Sequence, residues 1–209
     1  RQFALAVPAE ARRVARTKAA SPRGKCQPRP DHKALKEAGH AEHAAAGAVA
    51  GVEVNDVFLC RAELNVLGLH AHTLKGISSK DGVASAIVVS GGYEDDKDGE
   101  ESFEYTGAGG NDTLGNRKQV ADQDVGHVDN KAMLKASERG AQVRVFRKRQ
   151  AEARDLSYMH DGLVYSYDGL YTVARWETRV GKEGFKVIIF KMERVPGQAA
   201  MTRPAQTRP

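Results

Sequence analysis

The chain has only two cysteines in 209 residues, Cys26 and Cys60. Cys26 lies in a polar, Pro-rich stretch and Cys60 in an apolar run, so neither belongs to a disulfide framework and both are read as reduced thiols. Long apolar runs are missing too, which excludes a helical membrane span. The first residues lack the basic-then-apolar layout of a secretory signal. There is no Gly-x-Ser-x-Gly elbow, no His-Glu-x-x-His pair and no phosphate loop of the Walker type. Gly107-Ala108-Gly109-Gly110 is glycine-rich but lacks dinucleotide-loop spacing and a following helix start. His40 and His43 stand three apart and His70 and His72 two apart, with no cysteine or carboxylate pattern to complete a metal set. The acidic run from Glu94 to Glu101 lacks the ligand order of a calcium loop. These absences leave no metal, no cofactor and no catalytic centre to expect in this chain.

What is present is an ordinary globular composition, 41% hydrophobic and 28% charged, with a net charge of +5. The charge is uneven. Residues 1–50 hold ten Lys/Arg against four Asp/Glu, and the remaining 159 residues hold 22 against 23. Arg12, Arg13, Arg16, Lys18, Arg23 and Lys25 make the first 50 residues a basic arm, partly disordered or helical, of the kind that contacts phosphates without sequence preference. A solubilising tail is the plainer reading of the same charge.

The compact part begins near Gly51. Strands are expected over 54–60, 84–89, 102–105, 142–146 and 185–192 from their apolar runs and period-two alternation. Asn130 to Arg139 reads as a helix with Ala132, Met133 and Ala136 on one face and Gly140 as its stop. Asp168-Gly169, between apolar segments 163–167 and 170–176, reads as a hairpin turn. This pattern predicts a mixed, mainly β domain with a closed or bent sheet and one or two helices against it. After Pro196-Gly197 the chain reads as a tail.

The densest chemistry lies in Ser90-Gly91-Gly92-Tyr93-Glu94-Asp95-Asp96 and Tyr105-Thr106-Gly107-Ala108-Gly109-Gly110. Two tyrosines offer flat faces, a carboxylate offers acceptors, and glycines let backbone approach closely. That inventory suits a planar ring bearing an amino group, such as a nucleobase.

These segments, followed by Asp122-Gln123, Arg139-Gly140 with Val143-Arg144-Val145, and Tyr167-Asp168-Gly169-Leu170-Tyr171, resemble in order the SET- and RING-associated (SRA) domain, also called the YDG domain. The resemblance runs from Gly51 to Gln198 and implies an α+β, PUA-like bent β-barrel with a few flanking helices. The segment limits it gives are 1–50 for the arm, 51–198 for the domain and 199–209 for a flexible tail. Met192-Glu193-Arg194-Val195-Pro196-Gly197-Gln198 resembles the branch linked to histone lysine methyltransferases.

The resemblance implies a nuclear reader of duplex DNA that flips out 5-methylcytosine, or the targeting part of a larger chromatin enzyme (a histone lysine methyltransferase, ubiquitin ligase or nuclease). Histones or chromatin would then be partners through the parent protein, and membranes would not. By position, Tyr93 and Tyr105 would stack on the flipped base and Asp96 would accept from its exocyclic amine. Thr106 and the backbone of Ser90, Gly91 and Gly92 would complete the edge contacts. Leu74 and Lys75 would sit in a loop entering from the minor groove. Asn116, Arg117 and Lys118 would match a major-groove finger. Lys118 cannot reproduce the bidentate contact that an arginine makes with guanine, and Ala108 stands where the family usually has a polar residue. The Tyr167-Asp168-Gly169 motif reads as fold-forming rather than as a binding site.

Overall fold

The structure, a computed structural model, describes residues 42–58, 60–90, 99, 101–112, 118–150 and 163–202. Among them seven strands and two helices follow in the order β1 (Val57–Phe58), α1 (Arg61–Val66), β2 (Ile77–Lys80), β3 (Val83–Val89), β4 (Ser102–Thr106), α2 (Val128–Glu138), β5 (Val143–Gln150), β6 (Leu163–Val180) and β7 (Lys186–Arg194). The strands form one mixed sheet in the order β2-β3-β5-β6-β7-β4, with β1 beside β6. Only β3 and β5 run parallel. The path is open, since no ladder among the described residues joins β2 to β4.

Every residue of β3 is buried, because both faces of the sheet are covered there. Ile87 and Val89 point into a core with Met133, Ala132 and Ala136 of α2, together with Phe103, Tyr105, Tyr171, Ile188 and Phe190. Ala86 and Val88 point the other way, into a core with Leu64 of α1, Phe58, Leu69, Phe146 and Tyr167. A strand buried on both faces loses the alternation that marks a half-exposed one. The α2 helix starts at His127, whose Nδ1 accepts from the Asp129 amide at 3.2 Å. It ends against Gly140, which holds φ +58, a backbone region that glycine enters without strain.

The expected hairpin at Asp168-Gly169 does not form. Residues 163–180 are one strand of 18 residues, and Asp168 is an extra residue inside it. Val145 pairs with Gly169 and Phe146 with Tyr167, leaving Asp168 unpaired in the ladder. This is a β-bulge, which shifts the phase of a strand by one residue. Tyr167 and Tyr171, four apart, would share a face in a regular strand. The bulge instead sends Tyr167 to the α1 side, 5.3 Å from Phe146. Tyr171 goes to the α2 side, 5.2 Å from Phe103. A two-residue hairpin of the Asp-Gly type needs positive φ at both central residues; only Gly169 (φ +110) has it here. Asp81-Gly82, with φ +53 and +72, makes that turn between β2 and β3.

Three groups hold the bulge. Arg147 Nε donates to Asp168 Oδ2 at 2.5 Å, Ser166 Oγ donates to Oδ1 at 3.1 Å, and Arg194 Nε donates to the Asp168 carbonyl at 3.3 Å. Gln198 closes over the next residue. It accepts from the Leu170 amide at 2.7 Å and donates to the carbonyls of Leu170 and Val195, both at 2.8 Å. A Cβ on Gly169 would meet Gln198 Oε1 at 2.5 Å, so glycine is required twice over, for its φ and for this space.

At the other end of the fold, Arg144 is fully buried. It donates to the carbonyls of Ala44, Ala45 and Gly47 at 2.6–3.0 Å. Burial lowers its pKa to about 10, and five-donor geometry matches a cluster of carbonyls. Residues 44–47 are thereby fastened to β5.

Asp168→Ala leaves the Arg147 guanidinium buried without its carboxylate and should cost about 3–5 kcal/mol. Gly169→Ala should cost about 1–3 kcal/mol through backbone strain. Glu104→Ala, which breaks the more exposed pair with Arg179 at 2.9 Å, should cost about 1 kcal/mol or less. Urea midpoints of the three variants check this order.

Candidate nucleic-acid interface

Between α1 and β2 the chain makes a short loop, 70–76, whose carbonyls turn inward. Asn65 Nδ2 donates to the Ala71 carbonyl at 2.8 Å. Arg61 Nη2 donates to the His72 carbonyl at 3.0 Å and also to that of Lys75. His70 is fully buried, with Nδ1 2.8 Å from the His72 carbonyl and Nε2 3.2 Å from that of Gly76. The Val88 amide takes the Gly76 carbonyl at 2.8 Å. Against this anchored base, Leu74 is 93% exposed. Lys75 is half-exposed and pairs with the buried carboxylate of Asp129 at 3.3 Å.

Gly76 joins this loop to β4. A Cβ there would meet the Tyr105 hydroxyl at 2.5 Å, so the ring of Tyr105 comes up beneath the end of the loop. Tyr105 itself is 4% exposed and Thr106 beside it is buried, its strand paired to Phe190 and Ile189 of β7. Ser90 is exposed at the end of β3, two residues beyond Val88.

Beyond Thr106 the backbone is braced by side-chain amides. Asn130, fully buried on α2, accepts from the Ala108 amide at 2.7 Å and donates to its carbonyl at 3.0 Å. Gln123 donates to the Gly107 carbonyl at 2.7 Å and accepts from the Ile188 amide at 2.9 Å. Gln119 donates to the Gly109 carbonyl at 3.1 Å. A Cβ on Gly107 would meet Asn130 Oδ1 and Gln123 Oε1 at 2.8 and 2.9 Å. Asn111 and Gln119 bridge antiparallel, and the Asp112 amide donates to the Lys118 carbonyl at 2.9 Å, so 110–112 and 118–120 lie side by side. Lys118 pairs with Glu183 at 2.9 Å. Adjacent residues of α2 thus serve two loops, with Asp129 holding Lys75 of one and Asn130 holding the root of the other.

Of the residues singled out from sequence, Ser90, Tyr105, Thr106, Leu74, Lys75 and Lys118 are placed as above. Gly91, Gly92, Tyr93, Asp96, Asn116 and Arg117 lie outside the described residues. Sequence reading passed over Arg61 and Asn65, took Asn130 only as a helix start and met Gln123 only within the Asp122-Gln123 segment of the resemblance. None was given a bracing role, since each acts by binding backbone atoms, and backbone binding leaves no spacing rule. His70 and His72 read more readily as loop-forming than as metal ligands. In the structure both ring nitrogens of His70 face carbonyl oxygens, and the two rings stand edge to face, 6.4 Å apart.

An open mixed sheet with two anchored loops, one entering β2 and one leaving β4, is the frame of a binding module. The chain belongs to the SAD/SRA domain family, whose model matches residues 45–198. Among curated relatives it is 42% identical over 174 residues to the histone-lysine N-methyltransferase family member SUVH2 of Arabidopsis thaliana, covering 77% of this chain and 25% of that protein. It is 39% identical over 165 residues to SUVH9 of the same plant, covering 74% and 24%. The chain therefore spans about a quarter of the length of these relatives. Among solved structures it is similar to KRYPTONITE in complex with mCHG DNA and SAH, with a TM-score of 0.77, 31% identity, and 92% of this chain and 42% of that one covered. It is also similar to the SUVH5 SRA–hemimethylated CG DNA complex, with a TM-score of 0.62, 36% identity, and 77% and 100% covered.

Burial, reinforced by the nearby Arg61 charge, pushes His70 down to about 3, against the opposing pull of the Gly76 and His72 carbonyls. The folded protein holds His70 neutral where the unfolded chain protonates near pH 6.5. Stability from this group is complete above pH 6.5 and falls as pH drops from 6.5 towards 3, by up to about 1.4 kcal/mol per pH unit. Urea midpoints between pH 7 and pH 4.5 should fall less in His70→Gln than in the wild type.

Proposed function

We propose that this chain reads DNA methylation by binding duplex DNA and flipping 5-methylcytosine into a pocket between the β3 end and the β4 end. The observation that carries this is the likeness to SRA domains solved with hemimethylated, fully methylated and methylated CHH DNA, at 35–36% identity and covering 99–100% of those chains. The site's own chemistry agrees. Tyr105 and Thr106 close β4 beside Gly76, and an exposed leucine stands on an anchored loop at the same edge.

Tyr93 and Tyr105 form the sandwich for the base in this reading, Asp96 accepts from its amine, and Ser90, Gly91, Gly92 and Thr106 meet its edge. Tyr105 is covered in the free protein, so its ring must be uncovered as the base enters. Flipping costs a few kcal/mol, and stacking on an aromatic returns about 1–3 kcal/mol per base. Leu74 and Lys75 enter the minor groove; Asn116, Arg117 and Lys118 form the major-groove finger. The Lys118–Glu183 pair lies at the surface, where phosphate can displace it, and Lys75 is half-exposed above the buried Asp129 carboxylate. The domain occupies 51–198, the basic stretch 1–50 adds sequence-independent phosphate contacts, and 199–209 is a tail. The coverage of the plant methyltransferases supports a targeting domain of a larger nuclear chromatin enzyme, with chemistry carried outside this chain and no cofactor bound within it.

The test is a titration of one labelled duplex carrying methylcytosine, cytosine or thymine at the target. The methyl group is worth about 0.8 kcal/mol, so methylcytosine should exceed cytosine by a few-fold. Thymine puts an acceptor against Asp96 and should fall a further tenfold or so; Asp96→Ala should shrink that gap. Equal weak affinity for all three duplexes would sink the reading. Removal of residues 1–30 should weaken all binding and flatten its salt dependence, while leaving the order of the three duplexes unchanged.

A further inference from the structure

We infer that Arg61 is a positioning residue for base flipping, holding the Leu74 loop in its DNA-entering shape and in register with Tyr105; this rests on the methylcytosine reading above. Arg61 is not itself among the predicted DNA contacts. It stands at the first position of α1, and its guanidinium lies beneath the loop. Its Nη2 gathers the carbonyls of His72 and Lys75, which bracket Leu74 from either side. Its guanidinium carbon is 6.0 Å from the centre of the Tyr165 ring. Burial lowers its pKa, with the neighbouring Tyr165 acting in the opposite sense. No carboxylate among the described residues pairs with it, so backbone carbonyls and aromatic rings carry the burden of a half-buried cation.

That arrangement is more than a short connection needs. Holding a partly buried cation on backbone carbonyls costs desolvation, and here the return is a fixed loop. With Asn65 on Ala71, His70 beside His72 and Gly76, and Val88 on Gly76, the carbonyls of residues 71, 72, 75 and 76 all turn towards the protein. The negative ends of those peptides are then directed away from the side that would meet phosphates. The loop's most exposed side chain is an apolar one, Leu74. A wedge that must part a base pair works only if it is ordered beforehand, since ordering it on contact subtracts from the binding energy. Gly76 adds the link to the pocket, because a Cβ there would meet the Tyr105 hydroxyl at 2.5 Å. The loop whose carbonyls Arg61 gathers therefore ends directly against the base-stacking ring.

A positioning role differs from a merely stabilising one in which DNA it affects. Prior opening of the base pair removes the work the wedge does, because a mispaired base costs less to extrude. The experiment titrates wild type, Arg61→Met and Arg61→Lys against two duplexes, one with methylcytosine opposite guanine and one with it opposite adenine. Arg61→Met should weaken binding to the paired duplex about tenfold and to the mispaired one less than about threefold. Arg61→Lys keeps the charge without the planar fork and should fall between. Where Arg61→Met fails to fold, Arg61→Lys decides, with faster hydrogen exchange at amides 72–76 and a loss confined to the paired duplex as the expected pair of results. Equal loss on both duplexes, or no loss on either, overturns the positioning role while leaving the reader assignment standing. A wild type indifferent to methylation overturns the reader assignment and this inference together.

Discussion

A one-residue bulge at Asp168 sets the phase of the longest strand and, through it, the division of the molecule into two cores. Before the bulge β6 turns Tyr167 towards α1; after it the strand turns Tyr171 towards α2. Both helices need an aromatic from this strand, and a regular strand could give only one of them a tyrosine at this spacing. The bulge is stabilised by polar groups brought indoors. Arg147 answers the Asp168 carboxylate, and Gln198, arriving from the end of the domain, satisfies the Leu170 peptide. The motif that names the YDG resemblance is therefore structural in the strict sense, and its three residues act as aromatic, anchor and bend.

The binding edge depends on that division. The α2 core positions β4 with Tyr105, and α2 itself offers Asp129 to one loop and Asn130 to the other. The α1 side supplies Arg61, Asn65 and His70, which fasten the loop carrying Leu74. The Leu74 loop is thus braced from both sides, by α1 and by Asp129 of α2, and the segment after Thr106 by Asn130 of α2. The anchors are side chains reaching backbone, and this explains how an exposed leucine can be held out from the surface by so short a connection.

The strands with strong local patterns were legible in the sequence. The helix at 128–138 and the strands at 83–89, 102–106, 143–150 and 186–194 overlap the segments that apolar runs and periodicity mark. Two of the Asp-Gly pairs, 81–82 and 168–169, show where local reading stops. Asp168-Gly169 has the composition of a hairpin turn, yet a partner strand on each side and the distant Arg147 and Gln198 make it a bulge. Asp81-Gly82 has the same composition and does turn the chain, because β2 is short and pairs only with β3. Helix α1 was missed because its six residues follow an apolar run that reads as strand. Of the site, the tyrosine, the threonine and the exposed loop were readable through family resemblance. The bracing by Arg61, Gln123 and Asn130 was not, because their partners are peptide groups and no spacing in the sequence records them.

The central claim is that a methylated cytosine leaves the helix on binding, and the imino proton of the guanine opposite it reports this directly. In a short duplex with one methylcytosine, saturating protein should erase that single imino resonance by exposing the orphaned guanine to solvent exchange, while the imino signals of pairs away from the target persist. A saturated complex in which the target imino proton remains as protected as in free DNA would contradict the account.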